Sequence, residues 1–433
     1  ENRQKHILIS WRKQVVQMND LLNVFADMPS MLSGQDLVST LSIFPEYRDS
    51  IRNENQAVRL MALSDLYRLY IPSQMSIEIY SSMYLALLRS MQKKVTKTAI
   101  KQQYQNHRAI QNQAYRGIMG GADSFTIIGD SGIGKTSAIS RAVDLITENR
   151  VIEMDNPYTK VIPVLNVQCM WDSSVKGLLL EILRTVDETL ESSYYQYAVK
   201  SRATTDNLIG SVSQVALNHI GILVIDEIQN IVNSKNGKRF IAMLLQLINN
   251  SGISLCLIGV PDCIPFFEQT FQLSRRLVGL RYSTMPFDAY FESFCKVIFN
   301  YQYVQQKSEI TPAITEFLYE HSAGVVSVVV SLIHDAQEIG ILSRKEVLNL
   351  DTLNQAYKQR LSLLHGYIQS TVSHGGNTSK RKKKSPAASI VNNENVIQDN
   401  TLTIKELVAK AKAENLDIVP LLKEHFVVVE VSV

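Results

Sequence analysis

The stretch FTIIGDSGIGKTSAISRAV, Phe125–Val143, decides the fold. An apolar, strand-like run empties into a glycine-rich loop, and a helix-forming run follows. GDSGIGKT fits G-x-x-x-x-G-K-[ST] at Gly129, Gly134, Lys135 and Thr136. Glycines let backbone N–H groups close around a β-phosphate, and a helix N-terminus adds a favourable dipole. The phosphate-binding set is then Gly129, Asp130, Ser131, Gly132, Ile133, Gly134, Lys135, Thr136 and Ser137. In such a cradle the lysine, Lys135, is expected to reach the β- and γ-phosphates, and the Thr136 hydroxyl to ligate Mg2+. A chance glycine turn can match the bare pattern, but here a strand precedes it and a helix follows, as the mechanism demands.

The second half of the site is expected in GILVIDEIQN, Gly221–Asn230. Four apolar residues ending in Asp226 and Glu227 describe a buried strand whose carboxyl end points at the phosphates. Asp226 would bind Mg2+ through water, and Glu227 would orient or deprotonate the attacking water. An acid pair at this place points to hydrolysis rather than to phosphoryl transfer to a metabolite. The expected cofactors are ATP and Mg2+. One further strand, ISLCLIG, follows the acid pair. ATPases of the additional-strand class place such a strand between the two functional ones, with a polar sensor at its tip, where this chain has Gly259 and Val260. QLSRRLVG comes next, at the position where AAA+ proteins carry an arginine that reaches a neighbouring subunit's γ-phosphate. Arg275 and Arg276 are the candidates, with a solvated helix face as the alternative reading of adjacent arginines.

Working outward, 433 residues allow two or three domains. Residues 1–100 read as a helical N-terminal region, with apolar residues at three-to-four spacing and turns such as LYIPSQMS. Residues 101–287 read as the ATPase core, with strands expected at SFTIIG, KVIPVLNV, GILVIDE, ISLCLIG and LRYSTMPF. Strands alternating with helices imply an α/β fold, a five-stranded parallel sheet with helices on both faces. Residues 288–366 read as a helical lid and 367–400 as a flexible linker holding the basic run Lys380–Lys384. Residues 401–433 regain helical patterning and end in FVVVEVSV, a short segment expected to dock on its own protein or on a partner. Apolar residues make up 45% and charged residues 20%. No apolar run approaches the roughly 20 residues of a membrane span. Cys169, Cys256, Cys263 and Cys295 form no C-x-x-C pair, which suits buried free thiols in a reducing cytoplasm. A net charge of +3 does not announce nucleic acid, so a DNA surface must come from local placement of charge.

The chain resembles the TnsC/TniB family of transposition AAA+ ATPases over roughly residues 20–365. The resemblance is carried by FADMPSMLSGQDLVSTLSIFPEYRDSIR, by RLMALSDLYRLYIPSQMSIEIYSSMYLALLR, by LVIDEIQN with Gln229 retained, and by SAGVVSVVVSLIHDAQ as the lid helix. LCLIGVPDC parallels that family's Ile-Gly-Thr-Pro strand, with Val260 in place of the hydroxyl residue. The resemblance implies an ATPase that assembles as a ring or helical filament on double-stranded DNA. It would link a target-selection protein to the transposase and use hydrolysis to control disassembly, without cutting or joining DNA. Such assembly needs basic side chains tracking phosphates. QCMWDSSVKG offers Lys176, and NSKNGKRF offers Lys235, Lys238 and Arg239; a solvated surface loop explains either equally. His107 and Arg108 could border the adenine or simply be helix polarity. The rival reading is a STAND-type or defence-associated ATPase, a protein switch not acting on DNA.

Overall fold

The computed structural model describes residues 28–94, 124–148, 151–155, 158–169, 174–232, 237–268 and 277–361. Glu1–Ser373 and His374–Val433 are two compact units, and every described residue belongs to the first. The linker and docking segment expected at 367–433 therefore lie outside the described residues.

Three strands are apolar almost throughout, and that decides where they lie. β1 (Ser124–Gly129), together with Ile220–Asp226 and Ser254–Gly259, is buried at every position, as strands covered on both faces are. With β2 (Ile152–Asp155), β3 (Tyr158–Gln168), β4 (Ile220–Asp226), β5 (Ser254–Gly259) and β6 (Leu277–Tyr282), the sheet runs β2-β3-β4-β5-β1-β6. β3, β4, β5, β1 and β6 are mutually parallel. β5 is the additional strand: Cys256 pairs with Phe125 on one side and with Val224 on the other.

Two details differ from the expected strands. β2 folds back antiparallel on β3, with Ile152 opposite Val161 at the end of the pairing. Pro163 follows two residues later and lacks the N–H that would carry the ladder further. β6 begins upstream of LRYSTMPF, because β1 takes Ser124↔Leu277 through Gly129↔Tyr282 as its register. Beyond Tyr282 the backbone leaves the sheet, and Met285 N–H donates to Gly324 O at 3.1 Å in the lid.

The longer helices are α1 (Gly34–Leu41), α2 (Gln74–Lys94), α3 (Lys135–Thr147), α4 (Val175–Leu190), α5 (Thr205–His219), α6 (Gly237–Ser251), α7 (Ala289–Phe299), α8 (Pro312–Ser322) and α9 (Val326–Leu342). Several start where a side chain satisfies the free first-turn N–H groups. Ser174 caps α4, Thr204 caps α5, Asp288 caps α7, and Thr311 caps α8 ahead of Pro312. α4, α5 and α6 cover one face of the sheet, and α2 and α3 the other. α7, α8 and α9 build a separate helical core beside them.

The N-terminal segment divides between two cores. Leu37, Leu41, Ile79, Tyr80, Met83 and Leu87 pack with α3 under the sheet. Leu63 and Leu66 instead pack among the lid helices. Arg59 fixes the second attachment: its guanidinium donates to both oxygens of Glu346, at 2.6 and 2.8 Å, and to Tyr303 O at 3.0 Å. The Glu346 carboxylate holds Arg59 above its ordinary pKa despite burial, and Arg59 holds Glu346 below its own. All four cysteines are free and buried. Burial pushes the Cys169 and Cys295 thiols up to about 12, so these are inert groups. No helix among the described residues is long and apolar enough to cross a membrane.

Candidate nucleotide site

Between β1 and α3 the backbone turns through two left-handed glycines, Gly132 at φ 81° and Gly134 at φ 96°. A Cβ on Gly132 would come 2.4 Å from Ser327 Oγ, so only glycine allows this approach. Lys135 Nζ donates to Gly129 O and Asp130 O, both at 2.8 Å. Burial lowers its pKa, and the carboxylates of Asp226, Glu227 and Asp130 oppose that shift. From the tip of β4, Asp226 faces the start of α3: Thr136 Oγ1 donates to Asp226 Oδ2 at 3.3 Å. Asp226 Oδ1 accepts from Glu227 N–H at 2.7 Å, while Glu227 turns through φ 57°. Lys135, Thr136, Asp226, Glu227, Gln229 and Ser327 line one cavity of about 260 Å3. A hydroxyl and a carboxylate side by side are hard oxygen donors, the set that suits Mg2+. The tip of β5 brings Gly259 and Val260 to the same cavity, which adds no polar side chain there.

A larger cleft of about 850 Å3 adjoins the loop and shares Gly132, Ile133, Gly134 and Ser137 with it. Its other walls come from three places: Tyr70 and Pro72 of the N-terminal segment, Tyr282 and Tyr290 around the exit from β6, and Val326 of the lid helix. The lid touches the loop directly, since Ser327 N–H donates to Gly132 O at 3.1 Å. The sequence reading took LYIPSQMS only as a turn and did not assign these walls. The one available signal was a proline turn with flanking aromatics, Tyr67 and Tyr70, directly before the long helix α2. His107 and Arg108 lie outside the described residues, as do Arg275, Arg276 and Lys235.

Lys176 is exposed at the start of α4, and Lys238 and Arg239 are exposed at the start of α6. These helices follow β3 and β4, and the phosphate loop follows β1. Because the three strands are parallel, all three connections leave the same edge of the sheet. The described basic candidates thus sit on the nucleotide edge.

The family model described as Bacterial TniB protein matches residues 92–285. No curated protein matches the chain significantly. Among solved structures, the chain is similar to the Aeropyrum pernix ORC1 protein in complex with DNA, at 13% identity and a TM-score of 0.41, covering 60% of this chain and 64% of that one. It is similar to Drosophila ORC bound to DNA at 12% identity and a TM-score of 0.43, covering 79% and 73%. Domain III of the Thermotoga maritima replication initiation protein DnaA follows at 15% identity and a TM-score of 0.32, covering 60% and 90%. The family match spans the phosphate loop, the acid pair and every strand of the sheet. Over residues 92–285 this chain is similar to the TniB family, in agreement with the resemblance to the TnsC/TniB transposition AAA+ ATPases read from its sequence.

Proposed function

We propose that the protein is an ATP-dependent, DNA-binding regulator of transposition that oligomerises on target duplex in the cytoplasm. There it would link a target-selection protein to the transposase, with ATP hydrolysis controlling disassembly. The observation that carries the reading is the meeting of Thr136, at the start of α3, with Asp226, at the tip of β4, at 3.3 Å, inside the span matched by the family. ATP lies with its phosphates in the loop Gly129–Ser137 and its adenosine in the cleft between Tyr70, Tyr282 and the lid. Lys135 exchanges its backbone partners for the β- and γ-phosphate oxygens. Thr136 and Asp226 would hold Mg2+, which supplies positive charge to those oxygens. Glu227 takes a proton from the attacking water as the bond to the γ-phosphorus forms and the bond to the bridging oxygen breaks. Arg275 or Arg276 of one subunit stabilises the charge on a neighbour's γ-phosphate, which makes turnover depend on assembly.

Duplex DNA lies against the nucleotide edge, contacted by Lys176, Lys235, Lys238 and Arg239 through its phosphates. Ser327 joins the lid to the phosphate loop, so nucleotide occupancy and lid position move together. The test is ATP turnover with and without duplex DNA, alongside particle shape by negative-stain microscopy. ATP-dependent rings or filaments on duplex, with DNA-stimulated turnover, are expected. Turnover indifferent to DNA, with no assembly on it, would favour the protein switch instead.

A further inference from the structure

Between Ile43 and Tyr70 the N-terminal segment makes an excursion away from the sheet core and returns. These two residues close its neck as an isolated antiparallel pair, with Ile43 N–H donating to Tyr70 O at 2.9 Å and Tyr70 N–H to Ile43 O at 3.0 Å. On the core side the chain just before the neck is fixed to the helix of the phosphate loop. Arg141 of α3 donates to Thr40 O at 3.0 Å and to Leu41 O at 3.2 Å. The far end, with the short helices Gln56–Ala62 and Asp65–Arg68, is fixed to the lid instead. Tyr47 Oη donates to Gln302 O at 2.8 Å, and Arg52 donates to Gln305 O at 3.3 Å. The buried anchor is Arg59, only 2% exposed. Its Nε donates to Glu54 O at 3.1 Å, within the excursion, while its two outer nitrogens fork onto the Glu346 carboxylate. Such a planar fork sets orientation as well as distance. Glu346 is itself held from the lid side, where Gln305 N–H donates to Oε2 at 3.2 Å. Tyr70 at the neck and Pro72 just beyond it are walls of the large cleft, and Pro72 O accepts from Tyr290 Oη at 3.2 Å. This wall is therefore strung between core and lid.

We propose that Arg59 is a positioning residue of the nucleotide site: through Glu346 it straps the lid to the wall at residues 70–72 and so slows the escape of bound nucleotide. The proposal rests on the reading that places adenosine in this cleft. Widening the cleft means parting the lid from a wall that stays with the core. For the lid to move away, the excursion must let go of it, and the Arg59 fork must break. Breaking it strands a largely buried carboxylate, so open states are rare while the pair is intact. The pair lies outside the phosphate cavity, so its loss acts on release and leaves the chemical step alone.

The test is release of fluorescent N-methylanthraniloyl ADP from the full chain, chased with excess ATP in a stopped flow. Arg59→Met and Glu346→Gln are expected to speed release about fivefold or more, with association within about twofold of the parent. Arg59→Lys, which keeps the charge without the fork, should fall between them and the parent. Should Arg59→Met fail to fold, Glu346→Gln, which keeps the side-chain shape, decides the question. Leu353→Ala is the control, because it removes buried packing from the lid and none of the excursion's polar contacts. Release just as fast in Leu353→Ala, or unchanged in the folded Arg59 and Glu346 variants, would overturn the strap. Photolabelling with 8-azido-ADP, mapped by peptide mass spectrometry, tests the cleft separately. Label on residues 70–77 or 282–290 keeps the adenosine reading whatever the release rates; label confined elsewhere overturns both.

Discussion

Lys135 and Glu227 line the same cavity, and on the proposed reading they do separate jobs that substitution separates. Lys135→Ala removes a partly buried ammonium whose contacts are two loop carbonyls. It should abolish ATP binding while the far-UV circular dichroism stays unchanged; retained ATP affinity would contradict the phosphate-cradle assignment. Glu227→Gln keeps the shape and removes the proposed proton acceptor. It should bind ATP and DNA normally, stop phosphate release, and leave assemblies that persist. At this scale the sequence was most readable. A phosphate loop is local, so its residue types and spacing specify it without reference to the rest of the chain. The acid pair is similarly marked by an apolar strand running into two carboxylates. The walls of the large cleft were harder to read, because they depend on which side chains face one cavity, and that is a tertiary fact.

At the scale of elements, α2 does more than cover the sheet. Lys94, at its last turn, is buried, and Nζ donates to Ala216 O at 3.0 Å and to Leu217 O, carbonyls of the closing turn of α5. Desolvation depresses the Lys94 pKa from 10.5 to about 7. Between about pH 7 and lysine's ordinary range, the unfolded chain holds a proton that the folded chain does not, so stability from this group rises with pH. The penalty is full below pH 7. Lys94→Met removes it, so the variant's melting temperature relative to the parent should be highest near pH 6 and fall steadily toward pH 10. A difference that does not change with pH would contradict the buried-amine reading. Arg59 belongs to the same scale, tying the N-terminal segment to the lid. Arg59→Met leaves Glu346 largely buried without its partner and should cost about 3 kcal/mol, the low end for breaking a buried pair, read as a loss in denaturant midpoint. The buried strands were legible because both faces of a central strand demand apolar residues. β2 and the true start of β6 were not, because edge pairing and register are set by the partner strand.

Across the whole molecule, the sheet's direction places the phosphate loop, Lys176 and the Lys238–Arg239 pair on one edge. If these cations track duplex phosphates, reversing charge at Lys176, Lys238 and Arg239 together should weaken binding equally across sequences. It should also flatten the salt dependence by roughly 0.9 in log–log slope per lost contact. A sequence-selective loss would contradict phosphate tracking. The central claim is that ATP held by Lys135 licenses assembly on DNA. The direct test is fluorescence anisotropy of a labelled duplex titrated with parent protein or Lys135→Ala, each with ATP, with ADP and without nucleotide. The account predicts tight, salt-sensitive, cooperative binding for the parent with ATP alone, and none for the variant in any condition. Equal binding by both proteins, whatever the nucleotide, would contradict it.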